Sequence, residues 1–412
     1  ITDSVTLRVA RFAGRERMLR RTKRVLVAVS GGQDSVACLL VLRNLQEQAG
    51  LDIVACHFDH QLRASSASDM ARVREICAGL GIECVTGEGD VRSMARETHQ
   101  SIELAARTMR YQFLAFAAGK EMADAIATGH TSDDQAETVL MRVVRGSGVR
   151  GIRGMLPVSG VPGSEAQRLI RPLLEIVRAE TAAICAEADI APIADESNFD
   201  TSYTRNRVRL ETLAVLRALN TSVSHSLVGL AASARELFQG VERQVMSLVP
   251  LQRGPNGAIF ALPPVRSLPN EGLTLIVERE ASFYQIAPEV NRTRVTNLRS
   301  VLDKGSGRVC FGPVEVEVSC GLVRVGPALG PAEPFEGVVL NVPGSTRVGP
   351  WRVEVSTEPL PEVAGALQLA VDVSGQRGAL RARLVAPGDR IFHHGLRRRV
   401  ADVVAGARMP AW

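Results

Sequence analysis

Between residues 24 and 190 the chain alternates two patterns. Short runs are apolar at almost every position: RVLVAVS (24–30), LDIVACHF (51–58), IECVT (82–86) and DAIATGH (124–130). Longer stretches follow them in which apolar residues return every three or four positions, at 35–49, 66–80, 101–119 and 133–145. The short runs predict strands buried on both faces, and the longer ones predict helices packed over them. That alternation predicts an α/β domain built on a parallel sheet, with ligands at the carboxyl ends of its strands. A helix is expected over 175–188, and mostly helical chain over 204–247. From about 256 the runs shorten (AIFAL, RVCFG, EVEVS) and predict a smaller helical and mixed middle domain; VDVSG (371–375) and LRARLVAPGDRIF (380–392) predict a small α+β domain. At 412 residues the chain exceeds what one core usually organises. The expected division is 1–214, 215–330 and 331–412. The stretch 146–167 is rich in Gly, Ser and Pro and predicts a mobile loop near the site.

Composition narrows the class. With 45% hydrophobic and 23% charged residues the chain reads as soluble and globular, and no apolar run approaches the roughly 20 residues of a membrane span. Seven cysteines, an odd number with no CxxC pair, predict reduced core thiols in a cytoplasm rather than zinc or an iron–sulfur cluster. The net charge of +5 is unevenly spread. Arg15, Arg17, Arg20, Arg21, Lys23 and Arg24 cluster before the first strand, and Arg397, Arg398 and Arg399 form a second group. Each is either a solvated face or a contact for a nucleic-acid backbone.

Ser30-Gly31-Gly32-Gln33-Asp34-Ser35 lies where the first strand gives way to the first helix. Glycines allow close backbone approach and positive φ. The N–H groups of a helix's first turn, aided by its dipole, receive an anion. Ser30 and Ser35 add hydroxyl donors. The stretch therefore predicts a phosphate-binding loop, but neither the Walker A lysine nor a GxGxxG spacing is present. Asp34 beside phosphates needs a cation or a reacting group. Mg²⁺ shared with the phosphates is one answer, and helix capping is the other.

Four more stretches carry candidate chemistry. HFDHQLR (57–63) brings His57, His60 and Arg63 to a strand end, as site lining, a metal site or a polar loop. SIELAARTMRYQFL (101–114) sets Glu103, Arg107 and Arg110 on neighbouring helical turns, where they can pair. In GHTSDDQAETVLMRVVRGSG (129–148), His130 ends a strand, and Asp134 and Glu137 share a helix face able to hold an ammonium group or a divalent ion. Asp133 suits capping, and Arg145 is placed to meet a phosphate from the helix's far end. PIADESNFDTSYTRNRVR (192–209) offers a polar loop at Asp195, Ser197 and Asn198. It then starts a helix with Arg205, Asn206, Arg207 and Arg209, where acids are normally favoured, and so calls for an anionic partner.

SGGxDS after a buried strand resembles the signature of the PP-loop ATP pyrophosphatases. With HxxHxLR, ELAARxxRY, GHxxDDQAETxLxRxxRGSGxxG and DxSNxDxxxxRNxxR following in order, residues 24 to about 212 resemble the tRNA(Ile)-lysidine synthetases. The likeness resumes weakly over 380–404. It implies an adenine nucleotide alpha hydrolase-like catalytic domain over 1–214, a middle tRNA- or substrate-binding domain over 215–330, and an incomplete C-terminal tRNA-binding domain over 331–412. It also implies a reaction: ATP activates C2 of the wobble cytidine of tRNA(Ile) with a CAU anticodon, and free L-lysine displaces AMP to give lysidine. On this resemblance Ser30, Gly31, Gly32, Gln33, Asp34, Ser35, His57 and Arg145 would bind ATP, with Mg²⁺ at Asp34. Asp134, Glu137, His130 and Arg107 would bind lysine. Asp34, Asp134, Glu137 and Arg107 would be catalytic, and Arg205, Arg209, Arg397, Arg398 and Arg399 would hold tRNA. The resemblance implies no membrane partner and leaves room for a homodimer. Gln61 stands where the family often has glycine, and Ala214 where it commonly has proline. Other readings are tRNA thiolation, a small-molecule synthetase, or a tRNA-binding protein without catalysis. The missing CxxC weighs against the first, the later domains against the second, and the intact acids against the third.

Overall fold

The computed structural model describes residues 1–62, 66–193, 200–201, 204–329, 337–348, 351–356, 379–382, 390–393 and 396–399. The chain forms two compact units, Ile1–Leu237 and Phe238–Trp412.

The first unit runs α1 (Thr2–Arg15), β1 (Arg24–Ala28), α2 (Gln33–Ala49), β2 (Asp52–Asp59), α3 (Ser66–Gly79), β3 (Cys84–Glu88), α4 (Val91–Glu97), α5 (Ile102–Lys120), β4 (Ala125–Thr128), α6 (Ser132–Val144), α7 (Val149–Ile152), β5 (Val158–Val161), β6 (Ser164–Ile170) and α8 (Arg178–Glu187). After these come α9 (Thr204–Arg207), a π-helical turn (Val208–Thr212), α10 (Leu213–Leu219) and α11 (Val223–Ser247), which continues into the second unit. The six strands form one sheet in the order β3-β2-β1-β4-β6-β5. All neighbours are parallel except β5 and β6.

The continuous apolar runs are explained by burial on both sheet faces. Val25, Val27 and Val29 alternate with Leu26 along β1. The valines pack with α1, α2, α3 and α8, through residues such as Phe12, Leu39, Val73 and Ile184. Leu26, Val54 and Ile126 pack on the other face with Tyr111, Leu114 and Ala117 of α5. Each such side chain contributes about 1.5–3 kcal/mol of transfer free energy. Replacing Leu26 with Ala would cost about 2–5 kcal/mol.

One local reading needs correction, and one element comes in addition. The stretch 146–167 is not one loop. It holds α7, β5 and the start of β6, closed by a Pro162-Gly163 turn with Gly163 at φ 79°. Turn-forming residues here make a hairpin whose second strand joins the sheet beside β4. The charged N-terminus is a helix. Val5, Val9, Phe12 and Ala13 follow the helical period and are buried, a pattern the surrounding arginines obscure. The basic cluster after it divides. Arg15 pairs with Glu16 and Glu175, and Arg24 with Asp52, Glu83 and Glu121. Arg17, Arg20, Arg21 and Lys23 are exposed.

In the second unit, β7 (Gln252–Gly254), β8 (Gly257–Ala261), β9 (Gly307–Phe311), β10 (Val314–Ser319) and β11 (Leu322–Pro327) form an antiparallel sheet in the order β7-β8-β11-β10-β9. Its core joins Phe260, Val316 and Val325 to Leu273, Ile276 and Leu298 of the helices Asn270–Phe283 and Arg292–Lys304. Three two-stranded pairings follow, the last joining Arg390–His393 to Leu396–Arg399. All seven cysteines are free thiols. Among the described residues no helix is long and apolar enough to cross a membrane.

Candidate active site

β1 lies between β2 and β4, so the chain leaves β1 toward one edge of the sheet and returns on the other side. The loops after β1 and β4 therefore open a crevice at the carboxyl ends of those strands. Sequence-expected residues gather there.

The loop after β1 is held by its own hydroxyls. The Ser30 N–H donates to Ser35 Oγ at 3.1 Å, the two hydroxyl oxygens lie 3.1 Å apart, and Ser35 Oγ donates to Gly32 O at 2.8 Å. Gly31 has φ 85°, and a Cβ there would come within 2.3 Å of Ile193 Cδ1. Gly32 caps α2 with no side chain to satisfy the first-turn N–H groups. That donor chemistry fits a phosphate. Gly129 lets β4 approach this loop: a Cβ on it would lie 2.5 Å from the Asp34 carbonyl oxygen.

α6 begins with a capping box. Asp134 Oδ2 accepts from the Thr131 N–H at 2.8 Å and from Thr131 Oγ1 at 2.9 Å. The capping expected of Asp133 thus falls to Asp134. Asp133 instead accepts from the Arg178 N–H, at 2.8 Å, where α8 starts. Glu137, one turn on, is 1% exposed.

Three arginines converge on these acids. Arg178 donates to Asp34 Oδ2 at 3.1 Å, Asp134 Oδ1 at 2.8 Å and Glu137 Oε1 at 3.4 Å. Arg205 donates to Asp134 Oδ1 and Glu137 Oε2, both at 2.8 Å. Arg209 donates to Glu137 Oε1 at 2.7 Å and Oε2 at 3.5 Å. Thr181 Oγ1 donates to Asp34 Oδ1 at 2.6 Å. Burial raises the Asp34 carboxyl above its usual range, with Thr181 and Arg178 offsetting part of the rise. Burial also pushes Asp134 up, but Arg205 and Arg178, with the hydrogen bond from the Thr131 N–H, more than offset it and hold the carboxyl low.

Arg178 and Thr181 escaped the sequence reading. The available signal was a cation in a helix's first turn, the anomaly that marked Arg205. Gln33 binds this helix too, through Nε2 to Arg178 O at 2.6 Å and Thr181 Oγ1 at 2.8 Å.

The histidines line the crevice as neutral groups. His57 Nδ1–H donates to Val29 O at 2.8 Å, and burial lowers its pKa. Burial lowers His130 to about 3, and its Nδ1 lies 2.8 Å from Thr128 Oγ1. Burial lowers His60 to about 4, and its ring meets Phe58 edge-on.

Other expected residues stand apart. Arg107 is exposed, with its guanidinium 4.9 Å from the Tyr111 ring centre; Arg110 flanks the same ring at 5.5 Å. Among the described residues neither pairs with Glu103. Arg145 caps the far end of α6, about 16 Å along the helix axis from Asp134. Arg397, Arg398 and Arg399 fall on the strand Leu396–Arg399. Arg63, Asp195, Ser197 and Asn198 lie outside the described residues.

Among the described residues no three His, Cys, Asp or Glu side chains group as a metal site. Asp34 is a single carboxylate, and both its oxygens are engaged. The donor set does not fit a resident ion. It leaves room only for a cation that arrives with phosphates, since Mg²⁺ in such sites uses one or two carboxylates. The acids of α6 suit a small organic cation, because an ammonium group donates three hydrogen bonds to carboxylate oxygens.

Residues 3–216 match the family model of the PP-loop domain. The chain is 33% identical over 310 residues to a tRNA(Ile)-lysidine synthase of Dehalococcoides mccartyi, covering 74% of this chain and 66% of that protein. That is just under two thirds of the relative's length. A tRNA(Ile)-lysidine synthase of a Thermotoga species is 30% identical over 403 residues, 96% of this chain and 87% of its own. One from Novosphingobium aromaticivorans is 40% identical over 237 residues, 58% of this chain and 68% of its own.

Proposed function

This chain belongs to the tRNA(Ile)-lysidine synthase family, and on that premise we propose that it joins free L-lysine to C2 of the wobble cytidine of tRNA(Ile) with a CAU anticodon. The PP-loop domain implies ATP binding. The observation that carries the reading is the meeting of a side-chain-free helix start at Gly32 with three carboxylates, Asp34, Asp134 and Glu137, in one crevice.

In this reaction the C2 oxygen attacks the α-phosphorus of ATP, and pyrophosphate leaves. The ε-amine of lysine then attacks C2, the C2–O bond breaks, and AMP leaves. Residues Ser30–Ser35 would hold the phosphates, and any Mg²⁺ would come with them, facing Asp34. The amine arrives protonated, since its usual pKa is about 10.4. Asp134 and Glu137 would bind the ammonium and accept a proton before attack. The buried, neutral His57 and His130 would line the base pocket. The wobble base must leave its stack to reach the crevice. Exposed arginines before β1, Arg397 to Arg399, and the regions 215–330 and 331–412 would hold the tRNA backbone. A cytoplasmic location follows from this substrate.

The test is transfer of labelled lysine to a tRNA(Ile) transcript with ATP and Mg²⁺. Label that requires the wobble cytidine and is lost in Asp34→Ala is the expected result. Pyrophosphate release without label would mean a different nucleophile. Neither label nor pyrophosphate would favour the binding-protein reading.

A further inference from the structure

The ammonium site just assigned is already filled by the chain's own cations. Asp134 Oδ1 takes Arg178 and Arg205, and Oδ2 takes Thr131. Glu137 Oε1 takes Arg209 and Arg178, and Oε2 takes Arg205 and Arg209. Three carboxylates meet three guanidiniums, so the cluster is neutral. A lysine ammonium would find no unoccupied oxygen and would leave an excess positive charge in a partly desolvated place.

We propose that Arg205 and Arg209 are displaceable stand-ins for the substrate's ammonium, and that RNA phosphate is the ligand that draws them off. The proposal rests on the function argued above and adds an order to it: RNA first, lysine second.

The geometry separates the arginine that stays from those that leave. Arg178 begins α8, its N–H is fixed by Asp133, its carbonyl by Gln33, and its guanidinium also holds Asp34. Arg205 and Arg209 sit together on α9 and the π turn, a short segment of four and five residues. Among the described residues their guanidiniums have no carboxylate partner besides Asp134 and Glu137. The side chains of Arg205 and Arg209 are 32% and 23% exposed and that of Arg178 is 28%, so solvent reaches all three and the separation rests on anchoring alone. Released guanidiniums need another anion, and their planar fork matches a phosphate. A single π turn of this kind is found frequently at functional sites.

Linkage fixes what must be seen. If RNA withdraws the arginines, RNA strengthens lysine binding, and lysine strengthens RNA binding by the same factor. Couplings of this kind run from about 5- to 150-fold.

The experiment is equilibrium dialysis of labelled L-lysine against the full chain without ATP, with and without the tRNA(Ile) transcript. The lysine-transfer assay is run on the same preparations. In the wild type, RNA should tighten lysine binding about tenfold or more. Arg209→Gln should bind lysine more tightly without RNA than the wild type does, and RNA should add less, because only Arg205 remains to be drawn off Asp134 and Glu137. Arg209→Lys, which keeps a cation in place, should stay closer to the wild type. Melting temperatures check that the variants fold. If they do not, the RNA dependence in the wild type, and its reciprocal in RNA binding, decide the matter alone. Equal lysine affinity with and without RNA, in a protein that transfers lysine, overturns the stand-in model and leaves the function intact. Failure of the wild type to transfer lysine at all overturns the function, and this proposal with it.

Discussion

Glu137 in the first unit and Glu280 in the second are almost completely buried, and each lies against arginines. The surroundings of those arginines differ. In the second unit Arg279 also donates to the carbonyls of Val245 and Leu248, and Arg253 stacks 4.1 Å from the Phe283 ring centre. Arg324, 1% exposed, pairs closely with Glu315 across neighbouring strands and donates to the carbonyls of Asn256 and Pro327. Those guanidiniums are tied to main chain and aromatic rings, and the pairs sit inside one sheet and its helices. At the crevice, among the described residues, Arg205 and Arg209 donate to carboxylates and not to main chain, and the bonds span about seventy residues of chain. Exposure does not separate the two clusters, since Arg253 and Arg279 are 27% and 22% exposed and Arg209 is 23%; what differs is the anchoring of the guanidiniums. A cluster tied to main chain and rings specifies structure, whereas one resting on carboxylates can trade partners.

Substitutions can break that contrast. The largest effect is expected for Asp34→Asn, which keeps the shape and removes the charge: lysine transfer should fall about 10³-fold with little change in melting temperature. Glu315→Ala should do the reverse. It leaves Arg324 in the core with Glu317, 3.7 Å away, in place of its close partner, and should cost about 3 kcal/mol in denaturant unfolding, with transfer unchanged where the protein is folded. Replacing both partners, Glu315→Leu with Arg324→Met, should recover most of that loss. Gly129→Ala should lie between, because its Cβ would collide with the Asp34 carbonyl oxygen. A loss of about 1–3 kcal/mol and about a 10²-fold slower transfer are expected.

The smallest effect concerns pH. His60 and His130 are held neutral in the fold, at about 4 and about 3, against an ordinary value of 6.5. Between those limits the unfolded chain binds more protons than the native one. Stability should therefore rise with pH up to about 6.5 and be lost on acidification below it. His60→Gln should flatten the dependence of melting temperature on pH in that window. An unchanged slope would show that the His60 imidazole is not the group being charged.

Much of the first unit was readable because strands buried on both faces are apolar throughout, and the candidate acids follow strand ends. The convergence of Asp34 with Asp134 and Glu137 came from the order of motifs, and the sheet topology explains it. Arg178 carried only the weak signal of a cation in a helix's first turn, and VRAET gives that cation no partner until α8 is placed against α2 and α6. The roles expected of Arg205 and Arg209 rested on a cation at a helix start, which identifies a need for an anion but not whether a phosphate or a carboxylate meets it. The hairpin β5–β6 was hidden because glycine and proline mark a tight turn and a long loop alike.

The π turn at Val208–Thr212 sets an angular phase. A helix advances about 100° per residue, so an extra residue in one turn shifts everything beyond it by that angle. Deleting a single residue there would rotate the following helix by more than a quarter of a circle relative to Arg205. Arg217 of that helix, 3.3 Å from Asp133 Oδ1, would be carried off its partner. The register of that one turn, more than the identity of the residues in it, keeps the guanidinium beyond it on the first acid of α6.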